Sequence, residues 1–115
     1  MGLPWVRLDT QFASNPKLLA LIADKKYRAA FAYVAALGYS GAHGTDGFVP
    51  ELALAFVHAT KSDARDLVDV GLWIERPGGF DINGWLEFQA SDDEARARSE
   101  KARKAAQERW KKRGA

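Results

Sequence analysis

Twelve of the thirteen aromatic residues lie before residue 91, and Trp110 stands alone after it. This break limits the fold more than any other feature. A packed core needs large apolar side chains, because burial of their surface is the main force of folding. Residues 1–90 can therefore build a domain, and residues 91–115 cannot build a second one. Charge divides at the same point. Residues 1–90 hold eight Lys or Arg and ten Asp or Glu, whereas residues 91–115 hold nine and five. Within Lys101 to Arg113 there are seven basic residues and one acid, Glu108. The expected organisation is one domain over residues 1–90, followed by a basic, alanine-rich helix over 91–115.

At 115 residues the chain is too small for most multi-domain enzymes, and 47% apolar content rules out wholesale disorder. Cysteine is absent, which removes disulfides, thiolate metal sites, iron–sulfur clusters and thiol nucleophiles together. The longest mostly apolar stretch, Ala29 to Tyr39, is too short to cross a bilayer. Met1 to Thr10 lacks the basic segment and apolar run of a signal peptide. A cytoplasmic protein is expected.

Local patterns then place the elements. Trp5 to Asp9 alternates and reads as a short strand with Val6 and Leu8 on one face. Ser14 or Asn15 can cap a helix that has Pro16 at its first position, with Leu18, Leu19 and Ile22 inward. Asp24 can cap a second helix, with Tyr27, Phe31, Val34 and Leu37 at helical spacing and Gly38 or Gly41 as its stop. Phe48-Val49 is a very short strand. Pro50 opens a third helix carried by Leu52, Phe56 and Val57. Thr60 or Ser62 caps a fourth, with Ala64, Leu67 and Val68 inward and Gly71 beyond its end. Leu72 to Glu75 and Phe80 to Ile82 form a hairpin across Arg76-Pro77-Gly78-Gly79, a type II turn sequence. A short helical piece follows around Trp85, Leu86 and Phe88. Ser91 and Glu94 form a capping box, which opens a last helix running to about Lys112. Phe31, Phe56, Leu67 and Trp73 are the expected mutual core.

Two helices joined by three or four residues and followed at once by a hairpin make the winged helix-turn-helix order. The expected fold class is mainly α with a small β-hairpin, an α+β winged helix with a basic C-terminal helix.

Particular residues add a resemblance. They are Trp5-Val6-Arg7-Leu8-Asp9 with Asn15-Pro16-Lys17, then Asp46-Gly47-Phe48-Val49-Pro50, then Gly71-Leu72-Trp73, Gly78-Gly79-Phe80 and Trp85-Leu86-Glu87-Phe88-Gln89. Together, over residues 5–90, they resemble the winged-helix N-terminal domain of phage and prophage replication-initiation proteins of the replisome-organiser type. Ser99 to Arg113 is similar to the basic Ala/Arg/Trp segments that often follow such domains. The resemblance implies a DNA-associated role in replication or gene control within a bacterial host cell. It implies a binding module without catalytic residues.

Candidate contacts to DNA, most simply duplex, come from three places. The fourth helix offers Lys61 and Arg65. The wing offers Arg76, since an arginine on a wing can reach a minor groove. The tail offers Lys101, Arg103, Lys104, Arg109, Lys111, Lys112 and Arg113, with Trp110 able to stack on a base. Against these stand Asp63, Asp66 and Asp69, spaced by three, which would form an acidic stripe on the fourth helix and oppose phosphates. That stripe supports a second reading: a protein–protein or dimerisation module, facing a second copy or a replication or transcription protein. A membrane-surface helix would need large apolar residues opposite the bases, where the tail has alanines.

No catalytic site or cofactor is expected. His43 and His58 would need Asp46 or Glu51 to complete a metal site. Ser40, Ser62 and Ser91 have no nucleophile-elbow context. Gly38, Gly41, Gly44 and Gly47 lack the Lys-Ser/Thr ending of a phosphate loop.

Overall fold

A computed structural model describes residues 2–89 and 92–114. It is mainly helical, with a small three-stranded antiparallel sheet in the order β1-β3-β2. The elements are a one-turn 3₁₀ segment (Phe12–Ser14), α1 (Pro16–Ala23), α2 (Tyr27–His43), β1 (Phe48–Pro50), a 3₁₀ helix (Glu51–Val57), α3 (Lys61–Asp69), β2 (Trp73–Arg76), β3 (Gly79–Ile82), α4 (Trp85–Phe88) and α5 (Asp92–Gly114).

Capping chemistry explains most boundaries. The Asn15 side chain accepts a hydrogen bond from the Lys17 N–H, and Pro16 follows where its missing donor costs nothing. Thr60 starts α3 through a capping box with Asp63, and Gly71 ends the turn beyond it with φ +85°. α2 differs from expectation at both ends. Asp24 closes α1 instead of opening α2, which begins after Lys26 with no side-chain cap. α2 then runs through Gly38 and Gly41 to a left-handed Gly44.

The hairpin forms as read. Gly78 carries φ +83°, as the third residue of a type II turn requires. Gly79 sits where β3 passes β1, and a β-carbon there would overlap the Val49 carbonyl. Phe48-Val49 joins the hairpin as a third strand, pairing Phe48 with Asp81 and Val49 with Phe80.

Four expectations are corrected. Trp5 to Asp9 belongs to no strand of the sheet. The Gln89 side-chain amide accepts from the Arg7 N–H at 2.9 Å and donates to the Arg7 carbonyl at 2.7 Å. One side chain thus gives this segment the pairing that a neighbouring strand would have provided. Residues 51–57 form a 3₁₀ helix, which turns Ala53, Leu54 and Val57 inward and leaves Leu52 and Phe56 exposed. Finally, α2 packs through Ala29, Ala32, Ala36 and Leu37, leaving Tyr27, Phe31 and Val34 outside. Alanines let its backbone come close to the sheet and α3, and the large residues have no room there. α1 likewise buries Leu18 and Leu21 and exposes Leu19 and Ile22.

The core therefore holds Leu67 and Trp73 with Leu21, Val49 and Val57, but neither Phe31 nor Phe56, which are 58% and 76% exposed. Ser40, fully buried in α2, ties the following loop to the core. Its hydroxyl accepts from the Gly47 N–H and shares a hydrogen bond with Thr45, which donates to the Phe48 carbonyl. Ser91, the expected cap of the last helix, lies outside the described residues.

Candidate nucleic-acid interface

α3 and the hairpin bring the three basic candidates of the domain to one face. Lys61, Arg65 and Arg76 line a shallow hollow of 360 Å³ together with the Pro77-Gly78-Gly79 turn. Each stands beside an acid that sequence reading had not paired with it. Lys61 lies 3.4 Å from Glu51, and Arg65 lies 3.8 Å from Glu75. The Arg76 Nε donates to Asp81 Oδ2 at 2.8 Å. Exposed pairs of this kind are worth about 0–1 kcal/mol each, so a phosphate can exchange with the carboxylate at little cost.

The acidic stripe does not exist as a surface. Asp63 points inward, and its Oδ2 accepts from the Thr60 N–H at 2.8 Å, the Thr60 hydroxyl at 3.0 Å and the Arg28 Nε at 2.8 Å. Burial works to raise its pKa, but the Thr60 N–H, the Arg28 guanidinium and the Thr60 hydroxyl outweigh it. The carboxyl is held below the usual range. Asp66 is half-buried, 3.6 Å from Lys26 Nζ. Of the three acids only Asp69 is fully exposed, alongside Lys61, Ser62 and Arg65. A stripe spaced by three turns around a helix, so one end can face the core while the other faces solvent. The Thr60-x-x-Asp63 spacing was the signal for this, since it fits a capping box with Asp in place of Glu.

The tail behaves differently. Lys101, Arg103, Lys104, Arg109 and Trp110 are all exposed on α5, Trp110 at 76%. Among the described residues, no acid lies within ion-pair distance of those four bases. At 3.6 residues per turn the four point to different sides of the helix, so no single stripe forms. The side chains of Lys111, Lys112 and Arg113 lie outside the described residues.

A second hollow, of 740 Å³, lies between the N-terminal segment, α2 and α4. Several of its polar groups are engaged with the chain itself. Arg7 donates to the Phe88 carbonyl, and Lys17 and Asn83 both donate to the Gly71 carbonyl. Tyr33 stacks on Phe12 there, and burial, with the charge of Asp9, pushes its hydroxyl pKa up. His43 packs on Tyr39 and His58 on Phe31. Among the described residues, no three His, Asp or Glu side chains gather as a metal site would require.

Comparison with protein-family models, curated proteins and solved structures gives no match to this chain. Among the described residues, no helix is long and apolar enough to cross a membrane.

Proposed function

We propose that this chain is a non-catalytic, cytoplasmic DNA-binding protein of the phage or prophage type, serving replication or transcription control. In this reading residues 1–90 are a winged helix, α3 is the recognition helix, the β2–β3 hairpin is the wing, and α5 is a phosphate-binding arm. The observation that carries it is the contrast among cations. Lys61, Arg65 and Arg76 on the domain each stand beside an acid, whereas Lys101, Arg103, Lys104 and Arg109 of the tail are exposed with no acid within ion-pair distance among the described residues. Uncommitted cations in that number attract a polyanion and release its counterions on contact.

The order α2, β1, 3₁₀ helix, α3, β2, β3, with β1 beside β3, supports the winged-helix assignment. The inward turn of Asp63 and the pairing of half-buried Asp66 with Lys26 weaken the objection to groove entry by α3, and with it the acidic surface on which the interaction reading relied. Lys61, Arg65 and Arg76 would then position the domain on the backbone, while Trp110 stacks or packs against the sugar edge.

The test compares residues 1–98 with the full chain by fluorescence anisotropy on a 20-base-pair duplex. Loss of the arm should weaken binding at least tenfold and leave the melting temperature nearly unchanged. Undiminished binding by the shortened chain would overturn the role assigned to the arm.

A further inference from the structure

The outer face of α2 is apolar along its whole length. Tyr27, Phe31, Val34, Gly38 and Ala42 are all exposed and fall within an arc of about 80° at 3.6 residues per turn. Their steps of four, three, four and four resemble the seam of a helix pair. Phe31 also meets His58 at 5.6 Å, just past the 3₁₀ helix that carries the exposed Phe56 and Leu52, at 76% and 94%.

Taking about 200 Å² for a whole aromatic side chain, Tyr27, Phe31 and Phe56 alone expose about 380 Å². Two such faces, with Leu52 and Val34 added, approach the ~1,200 Å² at which specific interfaces begin.

The order of sizes along the seam indicates what covers it. The bulky residues Tyr27 and Phe31 occupy the N-terminal half, and the small ones, Gly38 and Ala42, the C-terminal half. A second copy laid antiparallel about a two-fold axis between Val34 and Ala35 sets Phe31 against Gly38 and Tyr27 against Ala42. Every knob then meets a hole. Gly38 is open for this, since a β-carbon there would have nothing within 4 Å.

Charge agrees with the same arrangement. The first turn of α2 has no acid and is flanked by Lys25, Lys26 and Arg28, against its own helix dipole, with Lys26 and Arg28 sharing their charge with Asp66 and Asp63. An antiparallel partner brings the negative C-terminal end of its α2 to those cations.

We propose that this chain forms a two-fold homodimer through the outer face of α2, with the two α2 helices antiparallel. The inference is independent of DNA binding and is tested without DNA.

The absence of cysteine allows a direct test by single-cysteine cross-linking. Val34→Cys should oxidise to a covalent dimer by itself. Tyr27→Cys alone should not, but mixed with Ala42→Cys it should form a mixed dimer. In sedimentation equilibrium the unaltered chain should show twice its own mass. Gly38→Leu should raise the dimer Kd by about 30-fold or more, the scale of a hot-spot loss, with the helical circular dichroism retained. Phe31→Lys, at a second position on the seam, should do the same.

A monomer at all concentrations up to about 10 times the micromolar range of ordinary association would overturn the proposal. So would a dimer unmoved by both variants. Self-cross-linking of Tyr27→Cys would overturn the antiparallel arrangement.

Discussion

Replacement of Asp63 by Ala tests how the domain holds its third α-helix. The carboxylate satisfies the Thr60 N–H, the Thr60 hydroxyl and the Arg28 guanidinium with one oxygen. The Thr60 hydroxyl still caps the N–H of residue 63, so only the reciprocal half of the capping box is lost, at about 0.5–1 kcal/mol. Leaving Thr60 donors without their charged acceptor costs about 1–3 kcal/mol more. The Arg28 side chain is 65% exposed and regains water, so its share is at most about 1 kcal/mol. The expected loss is about 2–4 kcal/mol. In a domain of this size that lowers the melting temperature by roughly 10–25 °C. The assay is thermal unfolding at pH 7 followed by circular dichroism, with Asp69→Ala as the control. Asp69 is exposed, and its loss should stay within about 0.5 kcal/mol.

The same side chain sets an acid limit. Its pKa is lower in the folded than in the unfolded chain, so its contribution is complete above the ordinary value of 3.8. It fades as pH falls through the folded value, because protonation then favours the unfolded state. The gap between the unaltered protein and Asp63→Ala should therefore shrink below pH 4. A melting temperature for Asp63→Ala within about 4 °C of the parent at pH 7 would refute the reasoning.

Other outcomes follow from burial. Trp73→Ala should cost about 3–5 kcal/mol, whereas Phe56→Ala, on the open 3₁₀ turn, should cost the folded monomer under about 1 kcal/mol; chemical denaturation separates them. Gln89→Ala should release the N-terminal segment, seen as faster hydrogen exchange at the Arg7 amide and a stability loss of about 1–3 kcal/mol. Iodide should quench fluorescence from Trp5 and Trp110, 65% and 76% exposed, and spare Trp73 and Trp85.

Much of this fold could be read from local chemistry. Asn15-Pro16, Thr60, and Pro77-Gly78-Gly79 each impose a backbone conformation within a few residues, so the sequence marks those boundaries directly. The facing of α2 could not be read the same way. Periodicity states which residues share a side, and hydrophobic area favours Tyr27, Phe31 and Val34 as the inner one. Backbone proximity to the sheet and α3 reversed the choice in favour of Ala29, Ala32 and Ala36.

Gln89 reaches Arg7 across 82 positions, and nothing near either residue announces the pair. At the candidate interface the bases themselves were legible from composition. The acids matched to Lys61, Arg65 and Arg76 were not, because they arrive from the 3₁₀ helix and from neighbouring strands. The inward turn of Asp63 was available in its spacing from Thr60, but the count of acids on the helix hid it.

The central claim is that phosphate contact, led by the tail, drives association with DNA. Its most direct measurement is the affinity of the full chain for one duplex between 50 and 200 mM salt. Four or five phosphate contacts predict a slope of log affinity against log salt of about −4, and the same slope, within about one unit, on a duplex of unrelated sequence. A slope near zero, with binding otherwise intact, would contradict the account.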